Sequence, residues 1–518
     1  MELLTKNVYL NRQKGKIITQ ITLENDFNVS DINPDVEDII TETSHVKIDG
    51  IKIFNGKAEI SGRLVIRILY VSGKDKGMPA CMEMELPFVE PVNMDMLQDG
   101  DTVRVDYEID DVKIRIINSR KISVKAIVSF KLDAECIYNM EIGLEPKDKN
   151  DSEYIQKQFR MMQIFSKKGD VYRVKEEVEL SGGKPNIGNI LWKNVDVRNC
   201  QTRLMENKIS LTGEIALFII YTPEEENLPT QWVDSVIHFS GVVDCEGCNE
   251  EMIHDIIVTP MEINVDIKPD YDGEQRILEV DAVLGLDMRV YEEDSMDILL
   301  DIYSPTMELV TEKKNAVGER IILKNNSKCK ITDKVEVDSS KGKILQICNT
   351  TGKVSIDEIT KVEDGVNIEG ALEVTILYIS GNDNRPFCSE KAVIPFSHTV
   401  DVKGIGDNME FSVKHGLEQL NSVMISENEV EVKVVVAIDV TVFCRVDEPV
   451  IVSITEQEQN IEELKKMPGI VIYRADAGEN LWAIAKKYHT TVSSLKELNG
   501  ITEDELAQGQ SVLVVKTV

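Results

Sequence analysis

The sequence predicts a mainly β protein: three antiparallel β-sandwich or barrel-like repeats, then a small βααβ module. Three observations predict it. A strand motif recurs three times, apolar residues alternate with a period of two through that motif, and the pattern changes sharply after residue 469. The chain has 518 residues, enough for several domains. Its 58 Lys plus Arg stand against 91 Asp plus Glu, a formal charge of −33. With 42% hydrophobic residues this is the composition of a folded chain, not of a disordered acidic tail. Sequence-independent nucleic-acid binding is disfavoured, because phosphate contacts need clustered Lys and Arg. An acidic patch for a basic partner and a plain solvated acidic surface both fit the charge, the second more simply.

The recurring motif is GxΦxΦxΦΦY, with Φ aliphatic. It stands as ISGRLVIRILY (60–70), LTGEIALFIIY (211–221) and IEGALEVTILY (368–378), with Gly62, Gly213 and Gly370 spaced 151 and 157 residues apart. Pro34, Pro185 and Gly342 each lie 28 residues before their glycine, and Phe88, Phe239 and Phe396 each lie 18 after their tyrosine. A further apolar strand follows in each copy: SVKAIVSF (123–130), EVDAVLGL (279–286) and EVKVVVAI (431–438), with a loop insertion around 270–275 in the middle copy. Leu64, Ile66, Ile68 and Tyr70 share one strand face, with Arg63 and Arg67 on the other. Each buried aliphatic is worth about 1.5–3 kcal/mol, so one such face anchors a core. The glycine marks a bulge or a close backbone approach. The tyrosines end apolar faces, so they read as core residues with a rim hydroxyl rather than as a ligand platform.

These landmarks divide the chain into repeat 1 (1–147), a helical linker (148–170), repeat 2 (171–325), repeat 3 (326–453), a polar tether (454–469) and a terminal module (470–518). Residues 151–166 supply the linker helix, and 407–421 suggest another short helix. No apolar leader and no run of about 18 apolar residues is visible, which implies a chain that begins and stays in a cytoplasm. Nine dispersed cysteines argue for a reducing compartment. Cys245 and Cys248 form the one CxxC, and a tight turn with two reduced thiols is preferred over a metal site. No GxSxG, HExxH or P-loop occurs and the six histidines are scattered, so no enzyme is expected and no cofactor is implied.

In the terminal module, residues 470–475 read as a strand. Leu481, Ile484, Ala485 and Tyr488 have helical spacing, Thr490 or Thr491 can cap a second helix carrying Val492, Leu495 and Leu498, and 511–516 close with a strand. Trp482, Ile484 and Leu498 read as its small core. The module is nearly neutral, so the acidity sits on the repeats and tether. Tyr473, the run Gly478-Glu-Asn-Leu-Trp, Ile484 to Tyr488, Leu498-Asn-Gly-Ile, Gly509-Gln510 and Leu513 resemble the LysM domain over its whole length. It departs from the LysM line at Asn480, where threonine is usual. LysM domains bind N-acetylglucosamine-containing glycans, chiefly peptidoglycan, in a shallow groove between two loops. Carried over, that groove is Gly478, Glu479, Asn480, Leu481, Gly500, Ile501 and Thr502.

The repeat motif, with its preceding Pro-Asp or Pro-Asn strand entry, resembles the SPOCS domain of spore-coat-associated proteins. Three such repeats before a LysM domain resemble the SipL-like group of clostridial spore coat morphogenetic proteins. That resemblance implies a non-enzymatic scaffold in the mother-cell cytoplasm at the forespore surface. Its partner would be the coat basement-layer ATPase, stage IV sporulation protein A, with the repeats giving multivalent contact. The alternative is a protein whose LysM reads peptidoglycan or a chitin-like glycan.

Overall fold

The alternating motif strands become β3 (Lys57–Ser72), β9 (Lys208–Pro223) and β15 (Gly365–Ser380), each the middle strand of a three-stranded antiparallel sheet. The structure is a computed structural model, describing all residues except 74–77, 149–151, 226, 383, 403–408, 460–467, 477 and 516–518. In the first module β3 lies between β2 (Val36–Phe54) and β4 (Pro79–Asn93), and β6 (Lys121–Pro146) lies between β1 (Leu3–Asn28) and β5 (Thr102–Asn118). The second module repeats this with β8 (Ile187–Met205), β9 and β10 (Gln231–Asp244) facing β7 (Glu153–Glu179), β12 (Gln275–Tyr303) and β11 (Ile253–Pro269). The third has β14 (Ile344–Val362), β15 and β16 (Phe387–Asp401) facing β13 (Glu308–Glu336), β18 (Glu429–Gln457) and β17 (Met409–Ser426). Each pair of sheets closes over one apolar core, so the repeat is a sandwich rather than a barrel. In the first, Leu64, Ile66 and Ile68 of β3 meet Val124, Ala126 and Val128 of β6.

Register explains the equal spacings. Phe88, Phe239 and Phe396 stand directly across from Gly62, Gly213 and Gly370 on the neighbouring strand. Each ring covers its glycine. A Cβ on Gly62 would lie 2.9 Å from the Phe88 ring and inside contact distance of the Lys47 carbonyl oxygen. The Tyr70 and Tyr221 hydroxyls donate to the Pro34 and Pro185 carbonyls, both at 3.0 Å, pinning the segment that enters each sheet to the end of its middle strand. In the third copy the proline position is Gly342, and the buried Tyr378 hydroxyl lacks this bond. All three rings are fully buried, as core residues. The Cys245–Cys248 turn is also structural: Cys248 N–H donates to the Cys245 carbonyl at 3.1 Å, the place that Leu97 and Met94 fill in the first module. Burial pushes the Cys245 thiol up to about 11, far from thiolate chemistry.

Three expectations are corrected. The linker expected to be helical over 148–170 lies in β7 from Glu153 on. Phe165 is bulged out of the ladder there, between Ile164 opposite Tyr291 and Ser166 opposite Val290. The short helix expected over 407–421 is strand β17 from Met409 on, and residue 407 and 408 lie outside the described residues. The second and third modules accordingly begin at 153 and 308, not 171 and 326, and β18 runs to Gln457, into the expected tether, of which 460–467 lie outside the described residues.

The reason for the longer modules is a shared collar. β1, β6, β7, β12, β13 and β18 have 26 to 29 residues each, about 85–95 Å at about 3.3 Å per residue, and outrun their sandwiches. Each ribbon leaves its sandwich at a bulge, at the equivalent residues Lys14, Phe165 and Ile322. Beyond it the three ribbons meet around one apolar cluster. Val8, Phe159 and Ala316 are equivalent residues there, as are Ile142, Ile298 and Val450. Glu135 of the first module accepts from Arg289 (2.9 Å) and Lys167 (2.5 Å) of the second, and all but disappears from solvent. Tyr138 bonds the Val317 carbonyl of the third module at 2.6 Å, and Lys157 pairs with Glu448 at 2.8 Å between second and third.

Gly62→Ala and Gly370→Ala should each cost about 1–3 kcal/mol, since the added methyl meets backbone that cannot retreat. Gly15→Ala, with open space around it, should be near neutral. Urea midpoints of the three variants check this, with equal losses in all three refuting it.

Candidate functional site

The terminal module pairs β19 (Ile470–Arg474) with β20 (Ser511–Val515) and sets α1 (Leu481–Lys487) and α2 (Val492–Asn499) between them, the expected βααβ order. Asn480 caps α1, its Oδ1 accepting from the Ala483 N–H at 3.0 Å. Thr491 caps α2 through the Ser494 N–H at 3.1 Å, and Gly500, at φ +62°, ends it in the left-handed conformation. Asn499 is a clamp the sequence reading missed. Its amide donates to the Leu495 and Leu513 carbonyls and its Oδ1 accepts from the Leu513 N–H at 2.7 Å, tying α2 to β20.

The candidate groove residues divide. Gly478, Asn480, Gly500 and Thr502 are exposed, and Glu479 and Ile501 half-buried. Glu479 accepts from the Tyr473 hydroxyl (2.8 Å) and the Asp476 N–H (2.9 Å). Those bonds, the backbone one foremost, hold its carboxyl below the usual carboxylate range. Leu481 is a correction: its side chain is fully buried in the module core, leaving only its backbone at the loop. The first loop is stitched to residues 504–506, by Leu481 N–H to the Asp504 carbonyl (2.9 Å) and Leu506 N–H to the Glu479 carbonyl (3.1 Å). That bridge lies just beyond the second loop, so both candidate loops flank one structural element.

Two core assignments also change. Ile484 is buried as expected, but Leu498 is 45% exposed. Trp482 is half-buried and turned toward the second sandwich module: its indole N–H donates to Asp301 at 3.0 Å and its ring meets Tyr303 edge-on at 4.8 Å. Lys486 pairs with the same Asp301 at 2.6 Å, and the Tyr303 hydroxyl donates to the Thr490 carbonyl at 2.9 Å. Tyr303 joins the terminal module's core. The module is therefore seated on the end of β12 by one face of α1, and its candidate groove residues are not among those seats. Asp301 and Tyr303 carry no signature in the sequence, since the residues they hold are 180 or more positions away.

Burial works to raise the Asp301 carboxyl, but the Lys486 ammonium and the Trp482 indole outweigh it and hold the group below its ordinary value. A depressed carboxylate stabilises above its unfolded pKa, and that contribution is lost as pH falls through the folded one.

Comparison with protein families agrees with the repeat count and the module. The family model described as SipL, SPOCS domain matches residues 35–117, 186–268 and 343–425, and the LysM domain model matches 473–515. The three SPOCS matches cover β2 to β5, β8 to β11 and β14 to β17, leaving the collar ribbons outside. No curated protein and no solved structure matches the chain. SPOCS and LysM domains are non-catalytic binding domains, and the SipL family connects the chain with sporulation and the spore coat. Among the described residues, no helix is long and apolar enough to cross a membrane, and no group of three or more His, Cys, Asp or Glu could hold a metal ion.

Asp301→Ala should free the terminal module from the body without unfolding it. The expected outcome is faster proteolytic cleavage within 454–469 at neutral pH, and wild-type protein should approach the variant's rate as the pH drops below about 4. Equal cleavage of the two proteins at pH 7 would refute the seat.

Proposed function

We propose that this chain, which carries three SipL-type SPOCS domains and a C-terminal LysM domain, is a non-enzymatic spore-envelope scaffold. It works in the mother cell at the forespore surface and binds the coat basement-layer ATPase, stage IV sporulation protein A, through its repeats and its LysM domain. The observation that carries this reading is the seating of the LysM domain. It uses Trp482, Lys486 and Thr490 against the second module, while Gly478, Asn480, Gly500 and Thr502 stay exposed. A domain fixed on a rigid body presents its loops in a set direction and loses less freedom on binding than a tethered one. Asn480 stands where the LysM line has threonine and supplies the same cap to α1, so the exchange leaves the loop built. The nearly neutral module on an acidic body also leaves short-range contacts, not long-range attraction, to select its ligand.

A second reading, supported by the LysM match, is peptidoglycan or related glycan binding by the same loops. Exposed Gly500 and Thr502 beside the half-buried Ile501 suit a sugar as well as a peptide. The full-length protein and Thr502→Arg, a change at an exposed site, separate the two when assayed for capture of the ATPase and for retention on peptidoglycan. Loss of ATPase capture by about tenfold in the variant is the expected result. Wild-type retention on peptidoglycan without ATPase capture would replace the scaffold reading with the glycan one. Unchanged binding to both would remove these loops as the contact.

A further inference from the structure

The turn from Cys245 to Cys248 lies at the collar end of the second sandwich, just after β10. Its counterpart in the first module runs from Met94 to Leu97. Both turns are closed by a bond from the fourth N–H to the first carbonyl, at 3.1 and 2.9 Å. The surrounding frame is shared too. Asn207 stands where the first module has Gly56, its carbonyl accepting from the Cys245 N–H at 3.0 Å and its N–H donating to the Cys248 carbonyl at 2.9 Å. Those bonds need no sulfur, and Met94 and Leu97 show that apolar side chains suit both places. In the second module both places hold cysteines, 4% and 1% exposed.

A turn closed in this way holds its first and fourth Cα atoms within about 7 Å, and a disulfide bridges about 4.4–6.8 Å. Gly247, the third residue, has φ +80°, as a type II turn requires. The Cys245 thiol is hydrogen-bonded to that of Cys248, so the two sulfurs face each other. The Cys248 thiol also reaches the Met205 and Lys208 carbonyl oxygens, at 3.3 and 3.5 Å. Glu246 and Gly247 between them are exposed, so opening this turn alone brings the thiols to solvent. The turn also holds the second ribbon. A Cβ on Gly247 would lie 2.8 Å from the tip of the Phe165 ring, and Phe165 is the bulged residue at which β7 leaves the sandwich. Lys168, three residues on, donates to the Asp244 carbonyl at 2.6 Å. In the first module the bulged Lys14 pairs with Asp101 at 2.7 Å, beyond the Met94–Leu97 turn.

We propose that Cys245 and Cys248 form a reversible disulfide, and that this bond latches the bulge at Phe165 when the protein meets oxidising surroundings. A small disulfide is the oxidant. The Cys245 thiol loses its proton, and its sulfur attacks one sulfur of that molecule, expelling a small thiolate and leaving a mixed disulfide. The Cys248 sulfur, deprotonated in turn, attacks Cys245 and expels the second small thiolate. The two thiolates take up the two protons, so the protein pair is oxidised by two electrons and the small disulfide is reduced to two thiols. Burial holds the Cys245 thiol high, which makes the first step slow because little thiolate is present near neutral pH. It does not oppose the product, since a pair that gains nothing as thiolate is readily kept as a disulfide. The short ring removes freedom that the reduced turn keeps. The bond concerns the second module alone and is independent of the LysM loops.

The test compares the full-length protein equilibrated with glutathione disulfide and the same protein in dithiothreitol. Alkylation and peptide mapping should find Cys245 and Cys248 joined to each other in the first and free in the second. Backbone hydrogen exchange over 164–168 and 205–208 should slow by about threefold or more on oxidation and recover on reduction. Phe165→Ala should keep the bond and the slowing at 205–208, and lose the slowing at 164–168. Cys245→Ala/Cys248→Ala should show the same exchange in these segments with either reagent. Free or glutathione-capped cysteines at 245 and 248 after oxidation overturn the disulfide. A bond that leaves exchange at 164–168 unchanged in the unmutated protein overturns the latch.

Discussion

The structure depends on apolar contact between its three sandwiches, made at the collar where their ribbons converge and at a second cluster that joins Leu69, Phe218 and Leu377. A sandwich of two three-stranded sheets buries its inner faces. Here two strands of one sheet in each module run on past the sandwich and bury a second surface against their copies. Val8, Phe159 and Ala316 stand at equivalent places and differ greatly in size. A large ring from one module is matched by a small side chain from another, so the cluster fills only with the modules in one order. The polar locks around it differ at each junction as well. Glu135 with Arg289 and Lys167, Tyr138 with the Val317 backbone, and Lys157 with Glu448 differ in partners from junction to junction. Duplication made three similar units, and divergence at their contacts made them non-interchangeable.

Within each module the cross-strand pairing of glycine and phenylalanine does the corresponding local work. The glycine lets the neighbouring backbone approach, and the ring covers the space its missing side chain would leave. That pairing fixes register, and register decides which face of β3, β9 or β15 is core. The outer face of the same strands then carries the residues that distinguish the junctions. Arg67, Phe218 and Thr375 are equivalent there; Arg67 makes an ion pair and Phe218 is buried in an apolar cluster between modules.

The LysM domain is held by the far end of the same long strands. Asp301 and Tyr303 lie where β12 leaves the collar, so the element that assembles the modules also orients the terminal domain. A ligand at the loops 478–480 and 500–502 would thus be displayed at a fixed place relative to the three sandwiches. The contact is modest in extent and rests on one carboxylate, one tyrosine and one tryptophan.

Alternation with a period of two is a local property, and it fixed the strands, the three copies and the inward faces from Gly62, Tyr70 and Phe88 alone. Helical spacing and capping residues likewise placed α1 and α2. What stayed hidden was set by contacts between distant residues. Residues 153–166 look helical, and only pairing with the partner strand 290–303 makes them a strand. Trp482 looks like core, and only Asp301 and Tyr303 reveal it as an interface. The junction charges and the collar follow from which module meets which. A sequence pattern reports what each strand buries, but not whose surface it is buried against.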